Sequence, residues 1–572
     1  MHGAIVFRQL AKGGARFEQD AQAAYVTAGE YGQYLISAIG RQDFSCYLHK
    51  FLAPEMLVID EAEYFDGKVE TQKELAKLLK QRVNDNKKTV IISELGIEHT
   101  LGAIDEELMP YLTTEALSAI TPRKTIETAI PAAAFVDPTV LQSPGSVLPG
   151  DLEEVRNICK KQLDAIYGKQ PPQAISDRLD EELSLLGKNA SIYLISHHLV
   201  KHLRSKGALT GYRHYIGSTL MAYLLGISDV NPLPAHYYCP SCKHTEFADS
   251  ASGYDLPAKP CPHCGKPMRG DGHNIPYEVC MGLNGKKDPL IDIQTLPEMQ
   301  DEAAAFLKDL VGADKIAFAG DCQTSTDSFF FLPSRMQWED VTPLRDAKQP
   351  KGGITKATHK DISALDLPKL DVIPDETYRM LAELISLTGI CPDEIDYSDP
   401  GVYQLFKNLD VGGIPEFDSE IARDILAYLD EVNFDTLVRA DSMLHGLHVW
   451  TENAEDLVQE HPFAELISNR DDVFRTLLKY GVDRTEAFKI MEYVRKGKLA
   501  WDIDHAEIPA NTKRWLEILE AAQIPGWYIA SLSKIGYLTT KAHIAHRTKL
   551  AVSFAWFKCH YPEALYRVLP VD

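Results

Sequence analysis

Four cysteines stand in two tight pairs, Cys239-Pro-Ser-Cys242 and Cys261-Pro-His-Cys264, with 18 residues between the pairs. Each pair lies on a proline-containing turn that can direct two thiolates at one point, and four thiolates at tetrahedral distance suit Zn²⁺ best. The spacing therefore predicts a zinc ribbon held together by a structural zinc ion. Two disulfides or four unrelated thiols are the alternatives, and a reducing compartment disfavours disulfides.

The composition is typical of a soluble protein of several domains, with 572 residues, of which 45% are hydrophobic and 25% charged. Its start shows no secretory signal pattern, and no apolar run is long enough to span a bilayer. We therefore expect a cytoplasmic protein without membrane association. The formal net charge of −23 excludes a general polyanion binder, because the mean field repels phosphate. Any nucleic-acid site must be a local basic patch.

Two carboxylates follow an apolar run near the start of the chain, in Met56-Leu-Val-Ile-Asp60-Glu61. This is the pattern of a buried parallel strand that ends in a Walker B motif, in which Asp60 would bind Mg²⁺ and Glu61 would polarise water. Residues 88–93 are typical of the neighbouring strand, and residues 71–84 of the crossover helix. The sequence therefore predicts a βαβ unit here.

The wider text of this region, AAYVTAGEY at 23–31 and LVIDEAEYFDGKVETQKEL at 57–75, resembles the AAA+ domain of the bacterial replication initiator DnaA. The resemblance implies a partial AAA+ α/β segment over residues 1–130. No G-x-x-x-x-G-K-[ST] phosphate loop occurs in the chain, so we expect Asp60 and Glu61 to be structural acids or relics. A true start upstream of Met1 is the alternative. Residues 131–170 are predicted to be a linker, because 131–150 are rich in Ala, Pro and Gly.

From about residue 151 the chain resembles the catalytic core of the PolC-type alpha subunit of bacterial DNA polymerase III. The resemblance runs through AISDRLDEELSLLG (174–187), GISDVNPLPAHYYCPSCKH (226–244), DLPAKPCPHCGKPMRGDGHNIPYE (255–278), IPEFDSEIARDIL (414–426), SMLHGLHVWTENAEDL (442–457) and KAHIAHRTKLAVSFAWFKCHYP (541–562). It implies a mixed α/β and α+β multidomain fold. The implied domains are a C-family polymerase palm (171–235 and 273–375, with a shortened thumb), the zinc ribbon inserted at 236–272, and mainly helical fingers at 376–572.

The same family holds two Mg²⁺ ions with three aspartates, two of them in a Pro-Asp-x-Asp strand. The matching text here is Pro289-Leu290-Ile291-Asp292, so a leucine replaces the first aspartate. Asp292 matches the second aspartate and Asp371 the third. Because leucine cannot coordinate a cation, we expect nucleotidyl transfer to be weakened or lost. Asp288 is displaced along the strand by about 7 Å and is not expected to substitute.

The family's glycine and serine loop, which offers amides to phosphate, is kept here only in part. Gly217 and Ser218 match its end, but Tyr212, His214 and Tyr215 stand where smaller residues are usual and would crowd a triphosphate. Arg213 is a further candidate for nucleotide binding. A plain helix start capped by Ser218 or Thr219 is an equally supported alternative.

The fingers keep many of the positions that match the family's nucleotide and template contacts. Residues 489–498 are helical in pattern, with an apolar face and a cationic face. A solvated helix face and structural histidines are the alternatives. The matching residues are His445, Trp450, Arg470, Lys489, Arg495, Lys496, Lys498, Lys541 and His543.

Three functions follow from these patterns. The first is a divergent PolC-like protein of DNA replication that binds primer-template or single-stranded DNA with transfer weakened or lost. The second is a polymerase that is still active, with Mg²⁺ at a rebuilt site that recruits a third acid such as Asp321 or Asp366. The third is a non-catalytic adaptor that binds other replisome proteins. No segment resembles a proofreading exonuclease, so we do not expect processive replication by this chain alone.

Overall fold

The computed structural model describes residues 3–7, 23–29, 31–32, 35, 51–52, 56–60, 62–65, 69–85, 87–93, 112–113, 147–148, 150–285, 287–318, 327–332, 344–345, 353–355, 367–390, 394–504 and 508–569. The chain divides into two compact units, Met1–Thr128 and Ala129–Asp572. None of the helices within these described ranges is both long and apolar enough to cross a membrane.

The first unit is a parallel sheet of five strands in the order β2-β3-β4-β1-β5. Helix α1 (Val69–Asn84) connects β3 to β4, so the predicted βαβ unit is confirmed. Asp60 ends β3, and Glu61 lies outside the described residues, so their Walker B role stays a prediction. The strands are β1 (Gly3–Phe7), β2 (Ala23–Thr27), β3 (Met56–Asp60), β4 (Lys88–Ser93) and β5 (Leu112–Thr113).

Helix α1 packs through one apolar face and one buried cation. Leu75, Leu78 and Leu79 recur at the spacing of a single helix face, and all three are buried. The fully buried Arg82 donates from Nε to Thr89 Oγ1 (2.8 Å) and from Nη1 to the carbonyl oxygen of Phe51 (2.7 Å). Because Thr89 lies on β4, Arg82 ties the end of the helix to the strand that follows it.

The second unit contains two sheets and most of the helices. Its strands are β6 (Thr210–Tyr212), β7 (His236–Tyr238), β8 (Thr245–Phe247), β9 (Arg269–Asp271), β10 (Ile291–Thr295), β11 (Ile316–Phe318), β12 (Asp327–Phe331), β13 (Leu344–Arg345), β14 (Gly353–Thr355) and β15 (Lys369–Pro374). Its helices begin with α2 (Asp151–Tyr167), α3 (Gln173–Leu185), α4 (Ala190–Ser205), α5 (Leu220–Leu224), α6 (Glu278–Met281) and α7 (Gln300–Val311).

The larger sheet has seven strands in the order β13-β14-β11-β12-β15-β10-β6. Strand β10 is parallel to β15 and antiparallel to β6, and all five of its residues are buried. Helix α4 packs against β6, β10 and β15. The apolar core under this sheet continues without a break into the C-terminal helices, from Ile293 to Phe434 and Ile544. The smaller sheet is antiparallel, in the order β8-β7-β9, and carries the cysteine pairs.

The C-terminal part is helical in the residues that the structure describes. Its longest helix, α18, has 20 residues, most of them buried. The helices are α8 (Glu376–Thr388), α9 (Pro400–Lys407), α10 (Glu420–Ala427), α11 (Phe434–Leu444), α12 (Glu455–Leu457), α13 (Arg470–Lys479), α14 (Arg484–Val494), α15 (Lys498–Asp504), α16 (Ala510–Ala521), α17 (Gly526–Leu532), α18 (Lys541–His560) and α19 (Pro562–Val568).

Two sequence predictions need correction. Residues 151–167 of the predicted linker 131–170 form helix α2, which buries Val155 and Leu163 at helical spacing and so belongs to the folded unit. The predicted helix over 489–498 ends at Val494, and α15 starts at Lys498. Gly497 separates them with a φ of +69°; an added Cβ there would lie 2.5 Å from the carbonyl oxygen of Gly536, so the close packing of that loop requires glycine.

Candidate active site and nucleic-acid interface

Strands β10 and β15 bring the two predicted catalytic aspartates together. The strands are parallel, and Asp292 lies directly opposite Asp371 in their register. Both are buried, with 4% and 8% of their surface exposed. The Oδ1 atom of each has no hydrogen-bond partner among the described residues. The structure therefore places two carboxylates side by side, as a metal site needs, each with one uncommitted oxygen.

A side-chain nitrogen lies against the other oxygen of each carboxylate. His214 Nε2 lies 2.9 Å from Asp292 Oδ2, and Lys369 Nζ lies 2.7 Å from Asp371 Oδ2. Burial and the charge of Asp292 raise the pKa of Asp371 above its usual value, against the opposing effect of Lys369. Sequence reasoning missed Lys369 as a partner, although its position two residues before Asp371 puts both on one face of the strand.

A third metal ligand does not join this pair within the described part of the chain. No His, Cys, Asp or Glu there completes a group of three with Asp292 and Asp371 within 4.8 Å. Leu290 precedes β10 and is half-buried. Asp288 is 55% exposed and pairs instead with Lys188 Nζ at 3.1 Å. Asp321 and Asp366, the acids suggested for a rebuilt site, lie outside the described residues.

The candidate phosphate loop is a packed helix start. The short 3-10 helix Ile216–Ser218 precedes α5, and Thr219 caps α5 by accepting a bond from the amide of Ala222. Tyr212 is fully buried, donates to the carbonyl oxygen of Ala542 (2.7 Å), and has its hydroxyl 2.2 Å from where a Cβ on Gly217 would stand. Tyr212 therefore packs closely against Gly217, and the crowding of a triphosphate by the residues at 212, 214 and 215 stays a prediction.

The other candidates in this segment have different environments. Ser218 is buried, and its Oγ has no partner among the described residues. Arg213 is exposed, and its amide donates to the carbonyl oxygen of Asp292 (3.1 Å). The Lys287 ammonium nitrogen lies over the Tyr215 ring, 4.1 Å from the ring centroid, which is a favourable cation–π arrangement.

Three cations converge beside Tyr215, namely Lys287, Arg470 and Arg495, and we call them the cation cluster. Burial lowers the pKa of Lys287 to about 8, with Arg470 and Arg495 adding to the effect. Burial, followed by repulsion from Arg495, also lowers the pKa of Arg470. Glu492 is the local counter-ion and accepts two bonds of 2.7 Å from Arg495. The sequence predicted Arg470 and Arg495 but missed Lys287.

Arg470 is the most buried member of the cluster. Only 3% of its surface is exposed, and it donates to the carbonyl oxygens of Thr539 and Leu538 at 3.3 and 3.1 Å. Its Nη1 has no hydrogen-bond partner within the described ranges. A buried guanidinium nitrogen without an acceptor is costly, so the protein keeps this charge buried at an energetic cost.

The two predicted histidines of the fingers have opposite electrostatic states. Asp441 and Glu416 raise the pKa of His445 to about 10 against the effect of burial, and its Nε2 lies 2.8 Å from Glu416 Oε2. Burial, with Arg547 as the next cause, holds the pKa of His543 well below its usual value. His445 is therefore a charged member of an internal ionic network, as the structural alternative expected, and His543 is neutral.

The remaining predicted cations do not converge on one site. Lys541 is buried and pairs with Asp435 Oδ1 at 3.0 Å, so it stabilises the interior. Lys489 pairs with Glu486 at 3.2 Å on an exposed surface. Lys498 is exposed and lies over the Tyr493 ring at 5.9 Å. Lys496 is half exposed, lies 3.9 Å from Glu492 and has its pKa lowered by burial and then by Arg495, which places it at the edge of the cation cluster.

The four predicted zinc ligands do converge. Their sulfur atoms lie within 4.8 Å of one another, with 3.5 Å between Cys239 and Cys264 and between Cys242 and Cys261. A disulfide would need about 2.05 Å, whereas a tetrahedron with zinc–sulfur bonds of 2.3 Å has edges of about 3.8 Å. The amide of Cys242 lowers the pKa of the Cys239 thiol to about 6. The residues therefore fit a tetrahedral thiolate-bound metal ion.

The cysteine-bearing segment is joined to the C-terminal helices through Asp255. The two carboxylate oxygens of Asp255 accept bonds from the amides of Phe434 (2.7 Å) and Asp435 (3.0 Å), the first two residues of α11. Carboxylates are favoured at this end of a helix because its first amides have no partner within the helix. The cysteine-bearing segment therefore stabilises the start of α11.

Family models match three parts of the chain. Residues 153–328 match the bacterial DNA polymerase III alpha NTPase domain, and residues 375–509 match the bacterial DNA polymerase III alpha subunit finger domain. Residues 6–114 match the bacterial DnaA ATPase domain. Both resemblances inferred from the sequence are therefore confirmed.

Curated relatives include the DNA polymerase III PolC-type of Bacillus subtilis (strain 168), which is 33% identical over 484 residues, or 73% of this chain and 33% of the relative. The enzyme of the same name from Thermotoga maritima is 33% identical over 479 residues, or 72% of this chain and 34% of the relative. This chain thus spans about a third of the length of these relatives. Domain III of the Thermotoga maritima replication initiation protein DnaA aligns with 34% of the chain at a TM-score of 0.16 and 15% identity, which is too low to support an argument.

Proposed function

We propose that this chain, in which a DnaA-like segment precedes regions of the PolC-type DNA polymerase III alpha subunit, binds DNA in replication with template-directed nucleotidyl transfer weakened or lost. One observation carries the proposal. The acid pair Asp292 and Asp371 has no third ligand among the described residues, while the cation cluster beside it is well formed. Transfer needs acids that hold two metal ions, whereas binding needs only cations placed to meet phosphate.

The cation cluster is the part of the site that would meet a phosphate group. Lys287, Arg470 and Arg495 share the acidic neighbour Glu492, and Arg470 also interacts with Asp471, so the three cations outnumber the two acids. Like charges are held together at a cost unless a counter-ion joins them. A DNA or nucleotide phosphate would supply that counter-ion. This local charge accounts for DNA binding by a chain whose net charge is −23.

Replacing Lys496 with methionine should weaken binding to a short primer-template several-fold. Lys496 is half exposed, so its loss should leave the fold intact and remove about one phosphate contact. The slope of log K against log salt should then become shallower by about 0.9. Fluorescence anisotropy from 50 to 200 mM salt would measure both effects.

Lys513 provides the matched control, since it is exposed on α16 away from the cluster, and its methionine variant should bind as the parent does. Equal affinity and equal salt slopes for Lys496→Met and the parent would contradict the proposed DNA site. A parent protein with no salt-sensitive DNA binding would instead favour the adaptor function, with replisome proteins as the partners.

Primer extension tests the loss of transfer. We expect no measurable extension of a labelled primer with Mg²⁺ or with Mn²⁺, and the same result for the Asp292→Ala, Asp371→Ala double variant. The unpartnered Oδ1 atoms of both acids are the observation that favours the second candidate, a polymerase with a rebuilt metal site. Extension by the parent that the double variant abolishes would establish that second function.

We further propose that Cys239, Cys242, Cys261 and Cys264 hold a structural Zn²⁺ ion. Support comes from the approach of the four sulfur atoms and from the preference of zinc for four-coordinate thiolate sites. All four positions are taken by protein ligands, so the ion would have no open position for substrate and would act on stability.

A further inference from the structure

His214 occupies an unusual position beside the acid pair. Its backbone has a φ of +60°, a left-handed conformation that glycine adopts freely and histidine does not. From there its imidazole lies 2.9 Å from Asp292 Oδ2, with 47% of its side chain still exposed. The chain therefore keeps a bulky side chain in a glycine-like conformation, in contact with one of its two candidate metal ligands.

The second acid has a partner on its own strand. Lys369 Nζ lies 2.7 Å from Asp371 Oδ2, and the lysine side chain is 22% exposed. Two neighbouring buried carboxylates repel each other unless each has a counter-charge. In metal-dependent enzymes divalent cations supply that charge. Here a side-chain nitrogen of the chain lies against one oxygen of each acid.

A divalent ion would meet unfavourable chemistry at this site. To bind either Oδ2 atom it would have to displace His214 or Lys369, and Leu290 offers no ligand in return. Only the two Oδ1 atoms are uncommitted. Mg²⁺ is commonly held by one or two carboxylates with waters and substrate phosphates, but a pair of ions needs carboxylate oxygens for both, and only one oxygen of each acid is uncommitted. The residues present therefore do not fit a pair of Mg²⁺ ions.

We propose that the side chains of His214 and Lys369 occupy the oxygens of Asp292 and Asp371 that divalent cations would otherwise take, so that this chain binds its nucleic acid without a divalent ion at the acid pair. This inference deepens the proposed function and rests on it for the identity of the nucleic-acid ligand. His214 is the residue that blocks Asp292, because removing its side chain frees the aspartate without disturbing the strand that carries it.

Manganese titration of the full chain tests the inference, with free Mn²⁺ followed by electron paramagnetic resonance and the cysteine site loaded with one equivalent of zinc. The parent and Asp292→Asn should bind Mn²⁺ alike, since the parent has no site to lose. His214→Gly should bind Mn²⁺ at least about tenfold more tightly than the parent does, a change of the size seen when contacts around a metal ligand are altered. The double variant His214→Gly, Asp292→Asn should lose that gain.

Glycine suits the φ of residue 214, so the His214→Gly variant should fold, and thermal melting checks this. If it does not fold, His214→Asn replaces it, because asparagine tolerates the left-handed conformation and its side chain is shorter. A parent that binds Mn²⁺ tightly and loses it in Asp292→Asn would overturn the inference. So would a folded His214→Gly or His214→Asn variant without any gain.

The dependence of DNA binding on metal separates this inference from the proposed function. With the cysteine site loaded with zinc, the dissociation constant for a primer-template should be equal in chelator-free buffer without Mg²⁺ and in Mg²⁺ at matched ionic strength. Binding that requires Mg²⁺ would overturn the inference while leaving DNA binding established. No binding in either buffer would overturn the proposed function, and the manganese titration would still decide whether His214 blocks the metal site.

Discussion

Replacing Cys261 with serine is expected to abolish metal retention and to unfold the segment that contains β7, β8 and β9. Serine offers a neutral hydroxyl where the site needs a thiolate. Structural zinc sites contribute roughly 10–16 kcal/mol of apparent binding free energy in small zinc-binding peptides, so this is the largest effect that we expect from any single side chain. Metal analysis of the purified protein should fall from one zinc per chain to none.

The loss should spread beyond the cysteines. Tyr237, Cys239, Cys261 and Met268 form a small apolar cluster of their own, which is too limited to fold a segment unaided. When this segment unfolds, Asp255 no longer caps α11, and the loss of a helix cap costs about 1 kcal/mol. We therefore expect a lower melting temperature for the C-terminal helices as well, and a chelator should reproduce it in the parent.

Cys559→Ser is the matched control. Cys559 is exposed on α18 and lies outside the four-cysteine group, so this variant should keep the parent's zinc content and melting temperature. Full zinc retention by Cys261→Ser would rule out the four-thiolate site. If the parent kept its zinc and its fold after chelator treatment, the metal would be bound outside the four-cysteine group.

Features that depend on local spacing were predictable from the sequence. The apolar runs that became β3 and β4 and the charged stretch between them are short-range patterns, and the structure confirms the βαβ unit. The cysteine pairs are equally local. The pairing of Asp292 with Asp371 was predictable only through the resemblance, because the two lie 79 residues apart in the chain.

Features that depend on close tertiary approach were not predictable. The amphipathic pattern of 489–498 continues across Gly497, whereas the helix ends at Val494. Only the packing of Gly536 against Gly497 explains why the helix ends before the pattern does. His214 looked like a residue that crowds a phosphate loop, and nothing in the sequence indicated that its ring would reach Asp292. Lys287 lies in the cation cluster through its contact with the ring of Tyr215, although the two residues are 72 positions apart in the chain.

The ionic network around Arg547 is a further long-range feature that the sequence did not predict. Its disruption is the second large effect on stability that we expect. Arg547 on α18 bonds Glu416 and lies 3.2 Å from Asp375 Oδ2, which caps α8. Glu416 in turn contacts His445 at 2.8 Å. The side chains of Arg547 and Glu416 are only 19% and 9% exposed, so solvent screens this pair little.

Replacing Arg547 with methionine should lower the free energy of unfolding by about 3–5 kcal/mol, because it leaves buried carboxylates without their main counter-ion. Methionine keeps an unbranched apolar stem comparable to the methylene part of the arginine, so lost packing of that part contributes little. Urea denaturation followed by circular dichroism measures the change. The matched control is Arg567→Met on α19, where the arginine is exposed and the expected change is within about 0.5 kcal/mol.

Acid pH should erase most of the difference between Arg547→Met and the parent. Against the effect of burial, Arg547 and His445 hold the pKa of Glu416 at about 2, below its unfolded value of about 4.3. A depressed carboxylate pKa adds stability that is fully present above the unfolded pKa and is lost as the pH falls through the folded one. The gap between parent and variant should therefore be widest above pH 5 and narrow towards pH 2. A gap that stays constant over this range would mean that Arg547 stabilises the fold by packing and that its charge pairing contributes nothing.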